Sequence, residues 1–92
     1  MKRIEREVVE RAYNICKRYE RLSARYLTRN FDKWSDLQSK KYKWTNAMFD
    51  RKGDLSFFET SLLYYATVAA VDNNKTKDAL VDALHILGFE IN

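Results

Sequence analysis

No proline occurs in this 92-residue chain, and its only glycines are Gly53 and Gly88. These two residue types are the strongest local breakers of regular structure, so a chain nearly without them has few places to turn and must build long elements. The apolar spacing says which kind. Across residues 3–27, Ile4, Val8, Ala12, Ile15, Tyr19, Leu22 and Tyr26 recur every three or four positions, the spacing of one helical stripe. Val9, Cys16 and Leu27 lie beside it and widen the apolar side enough to meet two neighbouring helices. The strict rhythm lasts about two heptads, short of the three or four of a coiled coil. Packing within the domain is therefore expected, with self-association as the alternative.

The pattern resets near Asn30, and a second helix is predicted over residues 31–49. It contains the stretch KWSDLQSKKYKW, which places both tryptophans among four lysines. At about 100° per residue, Trp34, Leu37, Trp44 and Met48 share one narrow sector, while Lys33, Lys40 and Lys43 project elsewhere. The tryptophans thus read as core anchors rather than stacking platforms. Lys41 falls among the apolar set and has to snorkel, its stem on the core and its ammonium at the edge. Tyr42 and Phe49 fall on neither face.

Asp50-Arg51-Lys52-Gly53-Asp54 reads as a turn, and Ser56 with Glu59 three residues later has the capping-box spacing of a helix start. The third helix, residues 57–71, is apolar all round, which predicts a central element covered by the others. Asp72-Asn73-Asn74 interrupts it, and Asn74 or Thr76 caps a fourth helix with Leu80, Ala83, Leu84 and Leu87 inward. Gly88 suits the left-handed position that ends a helix, with Phe89 placed for the apolar contact that follows. Residues 90–92 are expected to be loosely held. The whole is an all-α fold: residues 1–92 as a single compact domain with a long N-terminal helix, a basic second, a buried third and a short C-terminal one.

Composition agrees. Apolar residues make up 46% and charged residues 33%, globular values rather than those of a disordered chain. At this size a chain buries roughly 60 to 65% of its unfolded surface, enough for a modest core without metal or disulfides. One cysteine forms no internal bridge, the charged start leaves no signal-peptide core, and the longest apolar run is far below the ~18 residues of a membrane span. A cytoplasmic protein without membrane contact is expected, in the host cytosol if phage-encoded.

No constellation points to catalysis. A zinc site needs several Cys and His, and there is one of each, Cys16 and His85, far apart in sequence. A calcium loop opening at Asp50 would need glycine at its sixth position and glutamate at its twelfth, where Leu55 and Ser61 stand. Cys16 points to the apolar side of the first helix and His85 away from the leucines of the fourth. With no glycine-rich phosphate loop and no nucleophile elbow, the expectation is a protein that is not an enzyme and needs no cofactor or metal.

Charge is the remaining signal. Residues 1–52 carry 15 Lys and Arg against 7 Asp and Glu, whereas residues 53–92 carry 2 against 6. Arg11, Arg18 and Arg25 are seven apart and fall on one line of the first helix, with Arg29 continuing it and Lys17 and Arg21 alongside. Lys33, Lys40 and Lys43 form a second line. These residues, with Tyr42 and Tyr13 as aromatic anchors, are the candidate binding set, although Glu7 and Asp36 make part of the charge an ordinary solvated face. The favoured expectation is a protein-binding module whose basic face meets an acidic or nucleic-acid-handling protein, in the manner of a small accessory or inhibitor protein of a phage or plasmid. A second reading is contact with a nucleic-acid backbone through the first two helices, supported by a pI of about 9.3. The third is a salt-sensitive homo-oligomer or homodimer in which the two oppositely charged halves pair between copies.

Overall fold

The computed structural model describes residues 2–92. Its elements in chain order are β1 (Arg3–Ile4), α1 (Arg6–Ala24), α2 (Phe31–Phe49), α3 (Phe57–Asp72), α4 (Lys77–Ile86) and β2 (Glu90–Ile91). The four helices are the expected all-α domain, and each end has a local cause. The Asn30 side chain caps α2 by accepting from the Lys33 amide at 3.1 Å. Ser56 and Glu59 close a full capping box on α3, with bonds of 3.1 and 2.8 Å. Thr76 caps α4 from Ala79 at 3.1 Å.

Helices α3 and α4 both end in a left-handed residue. Asn74 (φ 55°) and Gly88 (φ 99°) adopt it, and in each case the following amide reaches back, Lys75 to Ala70 at 2.8 Å and Phe89 to Leu84 at 3.0 Å. This is the six-to-one bond of the Schellman motif, which satisfies carbonyls a helix end leaves open.

Helices α1 and α2 form an antiparallel hairpin, since partners across it run in opposite order: Glu5 with Lys52, Glu20 with Lys41, Ser23 with Gln38 and Tyr26 with Lys33. Helices α3 and α4 cover one side of the hairpin around a core that includes Val9, Ala12, Phe49, Leu63, Leu80 and Leu84.

Several expectations are corrected. The first helix starts at Arg6 and ends at Ala24, three residues inside each predicted end, because Ile4 belongs to a strand instead. Its buried line is Val9, Ala12, Tyr13, Cys16 and Ser23; Ile15, Tyr19 and Leu22 are half-buried and Leu27 is exposed. On α2 the buried residues are Lys41, Thr45 and Phe49, whereas Trp34 is half-buried and Trp44 is 47% exposed. Trp44 is therefore not a core anchor. The seam between α1 and α2 is polar, and Lys41 does not snorkel to water: it is 6% exposed and its ammonium donates to Glu20 at 2.6 Å.

Helix α3 is not enclosed. Leu63, Tyr64, Thr67 and Ala70 are buried, while Phe57, Phe58, Tyr65 and Ala69 face out, because three neighbouring helices cannot surround a fourth in so short a chain. On α4, Val81 joins Leu80 and Leu84 in the core, and Ala83 and Leu87 are exposed. Residues 90–92 are held rather than loose: β2 pairs in parallel with β1, Arg3 opposite Glu90 and Ile4 opposite Ile91. The Asn92 carbonyl accepts the Arg6 amide at 2.7 Å and so caps α1, whose N-cap residue Glu5 supplies no side-chain bond.

Candidate binding face

Burying the line from Val9 to Ser23 turns the opposite side of α1 to water, and the arginines stand there. Lys17, Arg18, Arg21 and Arg25, with Asn14 and Leu22, line one shallow depression along the helix. Arg18, Arg21 and Arg25 are exposed, and Lys17 is half-buried with its ammonium 5.6 Å from the centre of the Tyr13 ring. Arg29 lies in the exposed turn that follows the helix.

Ion pairing divides the cations of the molecule into two groups. Arg3 pairs with Glu90, Arg6 with Glu10 and Asp78, Arg11 with Glu7, Lys40 with Asp36, Lys41 with Glu20 and Lys52 with Glu5. Lys17, Arg18, Arg21, Arg25 and Arg29 have no such partner among the described residues, and neither do Lys33, Lys43, Arg51, Lys75 and Lys77, but of these only Lys17, Arg18, Arg21 and Arg25 line one depression together. Two of the pairs, Arg3 with Glu90 and Arg6 with Asp78, cross from the basic half of the sequence to the acidic half, so part of that asymmetry is used inside the fold. The unpaired arginines also have an ordinary role, because Arg21 and Arg25 sit at the end of α1, where cations oppose the negative end of the helix dipole.

The lysines of α2 are arranged differently. Lys33 lies 4.9 Å from the Tyr26 ring centre and Lys43 lies 5.0 Å from that of Trp44, while Lys40 is held by Asp36 at 3.1 Å. None of the three lines the arginine depression. Tyr42, half-exposed and edge-on to Tyr64 at 5.0 Å, joins Lys43, Asn46, Asp50 and Phe57 around a second groove between α2 and α3. The candidate residues thus fall into an arginine group on α1 and an aromatic–lysine group on α2, and Lys33 on Tyr26 is the contact between them. Tyr13 takes no part in a surface: it is buried, and its hydroxyl donates to the Lys75 carbonyl at 2.7 Å, tying α1 to the turn before α4.

The interior offers little reactivity. Cys16 is fully buried, and desolvation pushes its thiol up to about 11, so the nucleophilic thiolate is disfavoured. Burial likewise pushes Tyr64 up to about 12, with the nearby Cys16 contributing next. Among the described residues no three His, Cys, Asp or Glu side chains gather as metal ligands, and no helix is long and apolar enough to cross a membrane.

Sequence reasoning missed one surface. Phe58 and Tyr65 on α3 and Ile86 on α4 are 69%, 66% and 87% exposed, and Ala66, Ala69, Ala79 and Ala83 line a shallow groove between the same two helices, with Asn73 and Lys75 also in its lining. The signal was present: a helix apolar on every side must show one face to water when too few neighbours exist to cover it. Comparison of the chain with protein-family models, with curated proteins and with solved structures finds no match.

Proposed function

We propose that this chain is a non-enzymatic protein-binding module whose α1 arginines dock on an acidic surface of a partner protein. The observation that carries the reading is convergence of charge: Lys17, Arg18, Arg21 and Arg25 line one depression and none is paired with a carboxylate, whereas Arg3, Arg6, Arg11, Lys40, Lys41 and Lys52 each are. An unneutralised arginine cluster raises the local potential, speeds encounter with an anionic surface and offers bidentate bonds to carboxylates. The acidic partner is a protein that itself handles nucleic acid or presents a comparable carboxylate-rich face, as an accessory or inhibitor protein of a phage or plasmid would require.

A labelled polyglutamate peptide, measured by fluorescence anisotropy, tests this directly. Binding should weaken as salt rises and should be lost when Arg18, Arg21 and Arg25 are all replaced by alanine with helicity unchanged. No binding at low salt, or binding indifferent to the triple substitution, would sink the proposal.

A second reading, contact with a nucleic-acid backbone, is favoured by one feature of α2: exposed Trp44 beside Lys43, with exposed Phe31 packed on Trp34 at 5.5 Å. Exposed aromatic rings next to lysines suit bases stacking over a basic track. Single-stranded DNA in the same assay separates the two readings. Binding lost in Trp44→Ala but retained in the arginine triple variant would favour nucleic acid.

A further inference from the structure

We infer that the partner of the α1 face is an acidic amphipathic helix of another protein, which lies lengthwise along α1 with its carboxylates in step with the arginines. The inference rests on the arginine reading above and names the shape of what that face receives. The depression holding Lys17, Arg18, Arg21 and Arg25 is lined only by residues of α1 and its C-cap, from Asn14 to Arg25. At a rise of about 1.5 Å per residue these two ends lie about 16 Å apart. The site is therefore a track along one helix rather than a pit between elements, and what fills it is elongated.

The charge on the track is open to a partner. At about 100° per residue, Asn14, Arg18, Arg21 and Arg25 fall within roughly 60° of one another, on the side opposite the buried Val9, Ala12, Cys16 and Ser23. Lys17 flanks this row on one side and the half-buried Leu22 on the other. The three carboxylates of α1 are all taken, because Glu7 holds Arg11, Glu10 holds Arg6 and Glu20 holds Lys41. What complements such a face is a line of carboxylates with a nonpolar residue beside it, and each carboxylate can accept two bonds from one guanidinium.

Spacing favours a helix over an extended segment. Arg18, Arg21 and Arg25 stand three and four residues apart, which are rises of about 4.5 and 6 Å. Carboxylates at the same intervals on a second helix repeat those rises, so each meets one guanidinium when the two axes cross at the shallow angle of packed helices. An extended chain instead sets its same-face side chains about 6.7 Å apart, and by the third pair it is about 3 Å out of step. Leu22 and the aliphatic stem of Arg18, one turn before it, form the strip on which the nonpolar side of the partner helix rests.

Fluorescence anisotropy of labelled, end-blocked peptides with the full chain at low salt tests it. Three alanine-rich peptides of equal length and charge differ only in arrangement. One carries its glutamates at three- and four-residue intervals on a single helical face, one spreads them round the helix with its helicity matched by circular dichroism, and one keeps the first arrangement but has a proline at its centre. The first should bind at least about tenfold more tightly than either of the others, because three exposed ion pairs together amount to about that factor. Its advantage should shrink in Arg18→Ala and in Arg25→Ala and persist in Arg51→Ala, an exposed cation in the turn after α2. If either comparison peptide matches the first, the helix inference falls and the acidic-surface reading stands. If none binds, both fall. Single-stranded DNA that binds more tightly than the first peptide, and loses its affinity in Arg18→Ala, would overturn the inference by assigning the track to a phosphate backbone.

Discussion

The polar residues buried between α1 and α2 account for the least expected energetics of this molecule. Lys41 is buried almost completely and its partner Glu20 keeps about a third of its side chain in water, so the two halves of the pair are not equivalent. Glu20→Gln strands an ammonium in the interior and should cost about 3 kcal/mol, the low end for breaking a buried pair. Lys41→Met leaves a carboxylate that water can still reach and should change stability by less than about 1 kcal/mol. Urea unfolding of the two variants measures the difference, and equal losses would show that the asymmetry of burial does not matter. Nearby, the Thr45 hydroxyl is buried without a partner among the described residues. Thr45→Val removes that unpaired group at nearly constant shape and should stabilise the fold by about 1 kcal/mol, seen as a higher midpoint at unchanged m-value. These residues also mark the limit of reading faces from polarity. The sector of Trp34, Leu37, Trp44 and Met48 was read as the inward one, yet Trp34, Leu37 and Met48 are only half-buried, Trp44 is exposed, and Lys41, Thr45 and Phe49 are the buried residues, because the partner helix decides rather than hydrophobicity. The arginine line was legible from its spacing of seven, since outward direction follows from the helix alone. Which cations would be neutralised was legible only for pairs one helical turn apart, as Arg11 with Glu7, Lys40 with Asp36 and Arg6 with Glu10 are.

At the scale of elements, the helix ends were the most legible feature, because a cap is made by residues within a few positions of each other. The capping box on α3 carries a pH dependence. The Ser56 amide bonded to the Glu59 carboxylate holds its pKa below the ordinary value of 4.5. The native state therefore releases that proton more readily than the unfolded chain, and the stabilisation is in full effect above about pH 4.5 and disappears as pH falls through the lowered native value. Thermal midpoints of the wild type and Glu59→Gln should differ by a constant amount between pH 5 and 7 and converge in more acid solution. Ser56→Ala removes the reciprocal bond and should cost about 1 kcal/mol. Convergence absent at low pH would mean that the carboxylate is not the stabilising form. The bare side of α3 was misread for the opposite reason: how much of a helix is covered depends on how many neighbours the whole chain can supply.

Across the whole molecule, the pairing of β1 with β2 joins positions 87 residues apart, and nothing local announces it. Two-residue strands have no periodicity, and Ile4 continues the helical rhythm of the residues after it. Yet the pairing orders both ends at once. The amides of Glu90 and Asn92 donate to the carbonyls of Lys2 and Ile4 at 3.1 and 3.2 Å, and Asn92 caps α1. Deleting residues 90–92 removes these three bonds and the packing of Ile91, and should destabilise the domain by about 2 to 4 kcal/mol. Hydrogen exchange should then quicken at the start of α1 as well as globally, whereas an unchanged unfolding midpoint would show that the strand pair is incidental. Because the two strands run in the same direction, tension applied to the two ends of the chain slides them lengthwise past each other. Their hydrogen bonds are then loaded together instead of opening one after another. A predominantly helical domain of this kind should therefore resist extension up to one sharp rupture and only then let its helices unravel.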